Sequence, residues 1–174
     1  KEVVAGLIRI GGNTVGVVAN ADGKLGYLGA RKAEKLISFC DSFGIPVLTL
    51  ADVDGFWTCE ENERNLSVRL AELIDAYSAA SVPMVTVVTG HAYGTAGIAM
   101  GSKSLGADVV YAWKSAKVGL MDESLLKDID ESFDKSKNTA LYSAKRGYVD
   151  DIIDPAETRQ RVAAALEMLF TKAF

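Results

Sequence analysis

One histidine and two cysteines are all that 174 residues provide of the residues most used for metal binding and nucleophilic chemistry. Cys40 and Cys59 have neither C-x-x-C spacing nor a histidine beside them, so the sequence gives no disulfide framework and no zinc site. A reducing compartment, the cytoplasm, is the expectation. No apolar run reaches the roughly 18 residues needed to span a bilayer, and the opening KEVVAGLIRIGG lacks the apolar segment of a signal peptide. A direct membrane span is therefore not expected. The net charge is −4 and the basic residues are scattered, so no basic stripe could neutralise a phosphate backbone and nucleic acid is not an expected partner.

What is present is an ordinary soluble composition, 49% hydrophobic and 24% charged, too apolar for disorder. Residues 1–174 fit a single domain. The chain opens directly into a strand pattern, which suggests a piece of something longer. Val3 to Ile10 and Thr14 to Ala19 are β-rich runs separated by Gly11-Gly12-Asn13, the signature of a hairpin. After the glycine-spaced loop GKLGYLGA, the positions Ala33, Leu36, Ile37 and Cys40 recur at helical spacing until Gly44 and Pro46.

Val47 to Leu50 is a buried strand leading into a loop, ADVDGFWT, and Thr58 with Glu61 forms a capping box for the next helix. That helix carries Leu66, Leu70, Leu73, Ile74 and Tyr77 on one face and ends before Pro83. Strand Val85 to Thr89 follows, then a glycine-rich segment that becomes helical from Gly94 to Leu105. Val109 to Ala112 and Val118 to Leu120 read as short strands. Asp154-Pro155-Ala156-Glu157 starts a last helix running to about Thr171. The alternation predicts an α/β fold with a largely parallel sheet. The charged stretch from Asp122 to Asn138 reads either as a solvated helix or as a place where residues are missing near Asp122.

Chemistry concentrates where MVTVVTG runs into AYGTAG. Small residues at a strand-to-helix turn leave backbone N–H groups accessible, an arrangement suited to a developing negative charge. Close packing of helix on sheet would equally demand small residues at Gly94, Ala96, Gly97 and Ala99, and the pattern alone does not separate the two. His91 reads as structural, because a serine-hydrolase arrangement would want a serine where Thr95 stands. Asp52 and Asp54 read as turn-forming residues, since no third ligand accompanies them. Gly23, Gly26 and Gly29 fit neither nucleotide-binding glycine pattern.

Four collinear segments carry a family resemblance: TVGVVAN, KAEKLISFCDSFGIPVLTLADVDGF, ELIDAYSAASVPMVTVVTGHAYGTAGIAMGSKSLGADVVYAW and AKRGYVDDIIDPAETRQRVAAALEML. The chain resembles the C-terminal half of the carboxyltransferase β subunits of biotin-dependent acyl-CoA carboxylases and the related decarboxylases. The resemblance implies a crotonase-like fold of ββα repeats, an absent N-terminal half that holds acyl-CoA, and homo-oligomers in which the two halves meet across a dimer interface. It further implies a biotin carboxyl carrier protein delivering carboxybiotin, with biotin carboxylase or decarboxylase subunits as partners.

On the family's Y-G-G-A motif, Tyr93, Gly94, Thr95 and Ala96 align, the N–H groups of Thr95 and Ala96 hold the ureido oxygen of biotin, and Tyr93, Gly94 and Gly97 shape the biotin site. Ile98 falls near the acyl pocket and favours an apolar acyl group. The expected activity is carboxyl transfer between carboxybiotin and a short-chain acyl-CoA of the acetyl or propionyl/methylmalonyl type, in either direction. A crotonase-type hydratase or isomerase and a non-catalytic assembly domain stand as alternatives. Thr95 replaces the family's second glycine, Asp54 replaces a proline, and the family's M-G-x-x-G-A continuation after Met121 is missing.

Overall fold

A computed structural model describes residues 2–129, 132 and 134–172. Strands β1 (Val3–Ile10) and β2 (Asn13–Asn20) form an antiparallel hairpin closed by the Ile10–Asn13 pair. The two loop residues between them, Gly11 and Gly12, have φ of 58° and 87°. Positive φ at both central positions is what a two-residue turn compatible with strand twist requires.

The chain then passes through a three-residue strand, β3 (Gly23–Leu25), into helix α1 (Tyr27–Ser42). Ala30, Ala33, Ile37 and Cys40 are buried on one face of α1, the i, i+3, i+7 pattern of an amphipathic helix. Strand β4 (Val47–Phe56), helix α2 (Glu60–Ala79), strand β5 (Met84–Tyr93) and the short helix α3 (Gly94–Ala99) follow. Strands β6 (Val109–Trp113) and β7 (Lys117–Gly119), helices α4 (Glu123–Ile129) and α5 (Ala140–Lys145), strand β8 (Asp151–Ile153) and helix α6 (Thr158–Met168) complete the order.

The sheet runs β1-β2-β4-β5-β6-β8, with β3 added to β4 and β7 added to β5. Every pairing except the β1–β2 hairpin is parallel, so the largely parallel α/β expectation holds. Besides pairing with each other, long strands β4 and β5 each serve two neighbours along their other edge. Val47 to Leu50 pair with β2 and Val53 to Phe56 with β3, while Val85 to Val88 pair with β6 and His91 to Tyr93 with β7. One apolar core lies between the sheet and α1, α2 and α3, and a second lies under α6. No helix among the described residues is long and apolar enough to cross a membrane.

Several boundaries differ from the sequence reading, each for a physical reason. Strand β4 continues through ADVDGF, where a loop is expected, because β3 supplies hydrogen-bonding partners there. Strand β5 likewise continues to Tyr93 because β7 pairs with its end. The Thr58–Glu61 capping box is absent: Cys59 is the N-cap of α2, without a side-chain cap bond, and Glu61 instead accepts from the Tyr27 hydroxyl.

Helix α3 stops at Ala99 rather than Leu105. Gly101 takes φ of 65° against the ring of Tyr77, where a Cβ would come within 2.9 Å. A separate 3-10 turn covers Lys103–Leu105. The last helix opens with a 3-10 turn at Pro155–Glu157 and ends at Met168 rather than Thr171. Within 122–138 the solvated-helix reading holds for α4, where only Leu126 is buried. Residues 130, 131 and 133 of that stretch lie outside the described residues.

Candidate functional site

The carboxyl end of β5 is irregular, and this sets up the site. Ala51 pairs with Val88 and Val53 with Ala92, so β5 carries extra residues opposite Asp52. Asp52 compensates with its side chain: its Oδ1 accepts the backbone N–H of His91 at 2.7 Å and lies 3.1 Å from His91 Nδ1. Gly90 is tied to the same arrangement, because a Cβ there would overlap the Asp52 carboxylate. His91 is thus a strand residue whose backbone and ring both meet Asp52. Asp52 and Asp54 lie on a strand and not in a turn. Asp54 forms an ion pair with Lys24 at 2.7 Å.

Beyond the irregularity, His91 and Tyr93 face one side and Ala92 the other, as the period of two dictates. His91 and Tyr93 line a polar cavity of about 470 Å³ with Lys117, Asp122, Glu123 and Lys127. Their rings lie 5.4 Å apart. Burial pushes the Tyr93 phenol up to about 12, helped by the negative charges of Asp122, Glu123 and Asp54. Tyr93 is therefore a neutral hydroxyl at physiological pH.

Both acids in this cavity are engaged. Asp122 accepts from Ser124 N at 2.9 Å and Ser124 Oγ at 2.6 Å, and these bonds hold its carboxyl below the usual range. Glu123 is held low by Lys117, whose Nζ lies 2.7 Å away.

Tyr93 is also the N-cap of α3, with extended backbone and no side-chain cap bond. Gly94 turns the chain into the helix at φ of 53°, and a Cβ there would stand 2.9 Å from the carbonyl oxygen of Leu120. Both facts exclude a side chain. Gly97 sits against strand backbone, where a Cβ would lie 2.6 Å from Ala92 C, so packing accounts for its lack of a side chain.

Thr95 is exposed while Ala96 is only 1% exposed. Neither N–H has an acceptor among the described residues. An N–H without an acceptor on a residue as buried as Ala96 is rare in folded proteins, and the exposed Thr95 beside it adds a second free donor at a helix start, where the backbone dipole favours negative charge. Ile98 is 43% exposed and lines an apolar cavity of about 470 Å³ on the Ala92 side, together with Gly94, Gly97, Met100 and Leu120. Thr95 and Ala96 line neither cavity.

The sequence reading missed the Asp52 tether, the acidic wall at Asp122 and Glu123, and Asn138. The last is 2% exposed, donates to the Met121 carbonyl at 2.8 Å and packs where a Cβ of Gly119 would be. A glycine opposite an amide leaves no periodic signal, so no pattern in the sequence pointed to that clamp.

Residues 1–129 match the carboxyl transferase domain family. The methylmalonyl-CoA carboxyltransferase 12S subunit of Propionibacterium freudenreichii subsp. shermanii is 38% identical over 194 residues, covering 98% of this chain and 37% of that subunit. The methylmalonyl-CoA decarboxylase subunit alpha of Propionigenium modestum is 38% identical over 193 residues, covering 97% of this chain and 37% of that subunit.

Among solved structures, transcarboxylase 12S with hydrolysed methylmalonyl-coenzyme A superposes with a TM-score of 0.93 at 40% identity, covering 98% of this chain and 36% of that one. The β subunit of geranyl-CoA carboxylase from P. aeruginosa gives 0.87 at 27% identity, covering 99% and 37%. The chain thus spans little more than a third of these relatives. The 194-residue alignment is longer than the 174-residue chain, so the relative carries additional residues inside the matched region.

Proposed function

Because the chain belongs to the carboxyl transferase domain family, we propose that it is the biotin-facing half of an acyl-CoA carboxyltransferase, acting with an N-terminal half that holds acyl-CoA. The observation that carries this reading is the pair of unsatisfied N–H groups at Thr95 and Ala96, the positions aligned with the family's Y-G-G-A motif. Biotin fits there because a ureido oxygen needs donors and no counter-charged side chain. When delivered by its carrier protein, carboxybiotin would supply the transferable carboxyl group.

What this chain contributes is electrostatic. Gly94, at positive φ, turns the chain into α3 immediately before Thr95 and Ala96, and Ala96 is buried. Donors fixed in advance at a point of growing negative charge cost no reorganisation during the reaction. The same donors serve carboxylation and decarboxylation, so the site fits both directions. Ile98 at the cavity edge favours an apolar, short acyl group such as acetyl or propionyl.

Carrier protein, biotin carboxylase or decarboxylase subunits and further copies of the enzyme complete the assembly in this reading. A hydratase or isomerase is disfavoured because α3 contains no acidic residue. Asp122 and Glu123, which line the cavity beside Tyr93, are hydrogen-bonded and held low, the reverse of what a general acid needs.

Supplying the full-length protein and its partners with carboxylated biotin and acetyl-, propionyl- or methylmalonyl-CoA tests the proposal. Carboxyl transfer to or from one of these thioesters is expected, and residues 1–174 alone are expected to be inactive. Hydration of an enoyl-CoA with no carboxyl transfer would overturn the assignment.

A further inference from the structure

Strand β5 breaks its ladders just before it becomes α3. Between the Ala51–Val88 and Val53–Ala92 pairs, β4 contributes Asp52 alone while β5 contributes Thr89, Gly90 and His91. On the other edge of β5, β6 stops at the Ala112–Val88 pair and β7 takes over at the Lys117–His91 pair. Thr89 and Gly90 therefore pair with no strand among the described residues. Thr89 is held only by its hydroxyl, which donates to the Ala51 carbonyl at 3.3 Å. A strand bulged in this way has no ladder to say where it resumes, so its register after the break must be set by something else.

Asp52 sets it. Its Oδ1 accepts the N–H of His91, the residue at which β5 resumes, at 2.7 Å, a length typical of a charged acceptor. The same oxygen lies 3.1 Å from His91 Nδ1, so one carboxylate grips both backbone and ring. Gly90 shows how closely that carboxylate is seated, because a Cβ there would overlap its Oδ1, Cγ and Oδ2. Two residues after His91 comes Tyr93, the N-cap of α3, whose ring lies 5.4 Å from that of His91. Helix α3 has six residues and no side-chain cap bond, so its start depends on the strand that leads into it.

We propose that Asp52 is a positioning residue for carboxyl transfer. By fixing where β5 resumes, it fixes where α3 begins and so where the N–H groups of Thr95 and Ala96 stand. This role rests on those two groups being the donors to the biotin oxygen. A misplacement of about 1 Å at a reacting centre is enough to cost roughly 10²-fold in rate. The role needs an acceptor at the Oδ1 place and not a charge, so Asn should serve where Ala does not.

Steady-state carboxyl transfer by the assembled full-length enzyme tests the proposal with Asp52→Ala, Asp52→Asn, Thr95→Pro and the double variant Asp52→Ala with Thr95→Pro. Asp52→Ala should lower kcat about 10- to 100-fold, with KM for acyl-CoA changed by less than about threefold. Asp52→Asn should bring kcat back to within about threefold of the unmutated enzyme. In the Thr95→Pro enzyme one of the two donors is already gone, so adding Asp52→Ala should cost at least about threefold less than it does alone. A merely structural role would cost the same factor in both backgrounds. Full activity in Thr95→Pro would overturn the donor reading and this proposal together. With Thr95→Pro impaired, three results would each overturn the role of Asp52 alone: an unchanged kcat in Asp52→Ala, an Asn variant as impaired as the Ala variant, or equal factors in the two backgrounds. Should Asp52→Ala fail to fold by circular dichroism, amide hydrogen exchange in the unmutated enzyme decides. The His91 N–H is expected to be protected, and exchange as fast as that of an unbonded amide would overturn the proposal.

Discussion

Thr95→Pro is expected to lower kcat for carboxyl transfer by about 10²- to 10³-fold, the range found when one fixed donor is removed from an oxyanion site. Proline has no N–H, and at the second position of α3 the N–H it removes makes no intrahelical bond. The helix therefore loses a donor to the substrate and no bond of its own. Thr95→Gly makes the complementary test. It keeps the N–H, restores the residue found in the family's motif and removes an exposed side chain, so turnover should be retained or rise. Thermal denaturation of both variants separates donor loss from misfolding. A folded Thr95→Pro enzyme with unchanged turnover would show that the N–H has no catalytic part.

Gly97→Ala carries the largest expected effect on stability. Its Cβ would meet three backbone atoms of Ala92, at 2.6, 3.0 and 3.0 Å. No side-chain rotation relieves a clash with strand backbone, so α3 must lift from β5. Overpacking of this kind costs about 1–3 kcal/mol and occasionally more, and each kcal/mol lowers Tm by roughly 2–4 °C in a chain of 150–250 residues. Gly6→Ala is the matched control, because nothing lies within 4 Å of its Cβ position and the change should stay within about 0.5 kcal/mol. Equal Tm values for the two variants would contradict the packing account of Gly97.

These variants divide a question that the sequence left joined. Small residues from Gly94 to Ala99 suit packing and catalysis alike, and the structure assigns different causes to different positions. Gly97 is small because Ala92 lies beneath it, and Gly94 because φ is positive and Leu120 is close. The strands and helices with strong apolar periodicity, β1, β2, α1 and α2, were legible from residue spacing. So was the hairpin, because two successive glycines need no tertiary context to turn.

Strands β3, β7 and β8 have three residues each, too few to show a period, and of these only β7 is read from the sequence, one residue out of register at Val118 to Leu120. They exist because β4, β5 and β6 offer free edges to pair with. Their pairing also explains why ADVDGF and GHAY are strand and not loop. The Asp52–His91 contact joins residues 39 positions apart, and its signal lies in the register irregularity of β4 against β5, which only the paired strands reveal. Helix α5 stayed hidden for another reason: its six residues make fewer than two turns and cannot display a face.

The central claim is that Thr95 and Ala96 present two backbone donors to one oxygen. It is tested most directly by a structure of the assembled enzyme with the biotinylated carrier in place. The account predicts the ureido oxygen about 2.7–3.1 Å from both the Thr95 and Ala96 nitrogens. A ureido oxygen bound by other groups, with both nitrogens left without an acceptor, would contradict it.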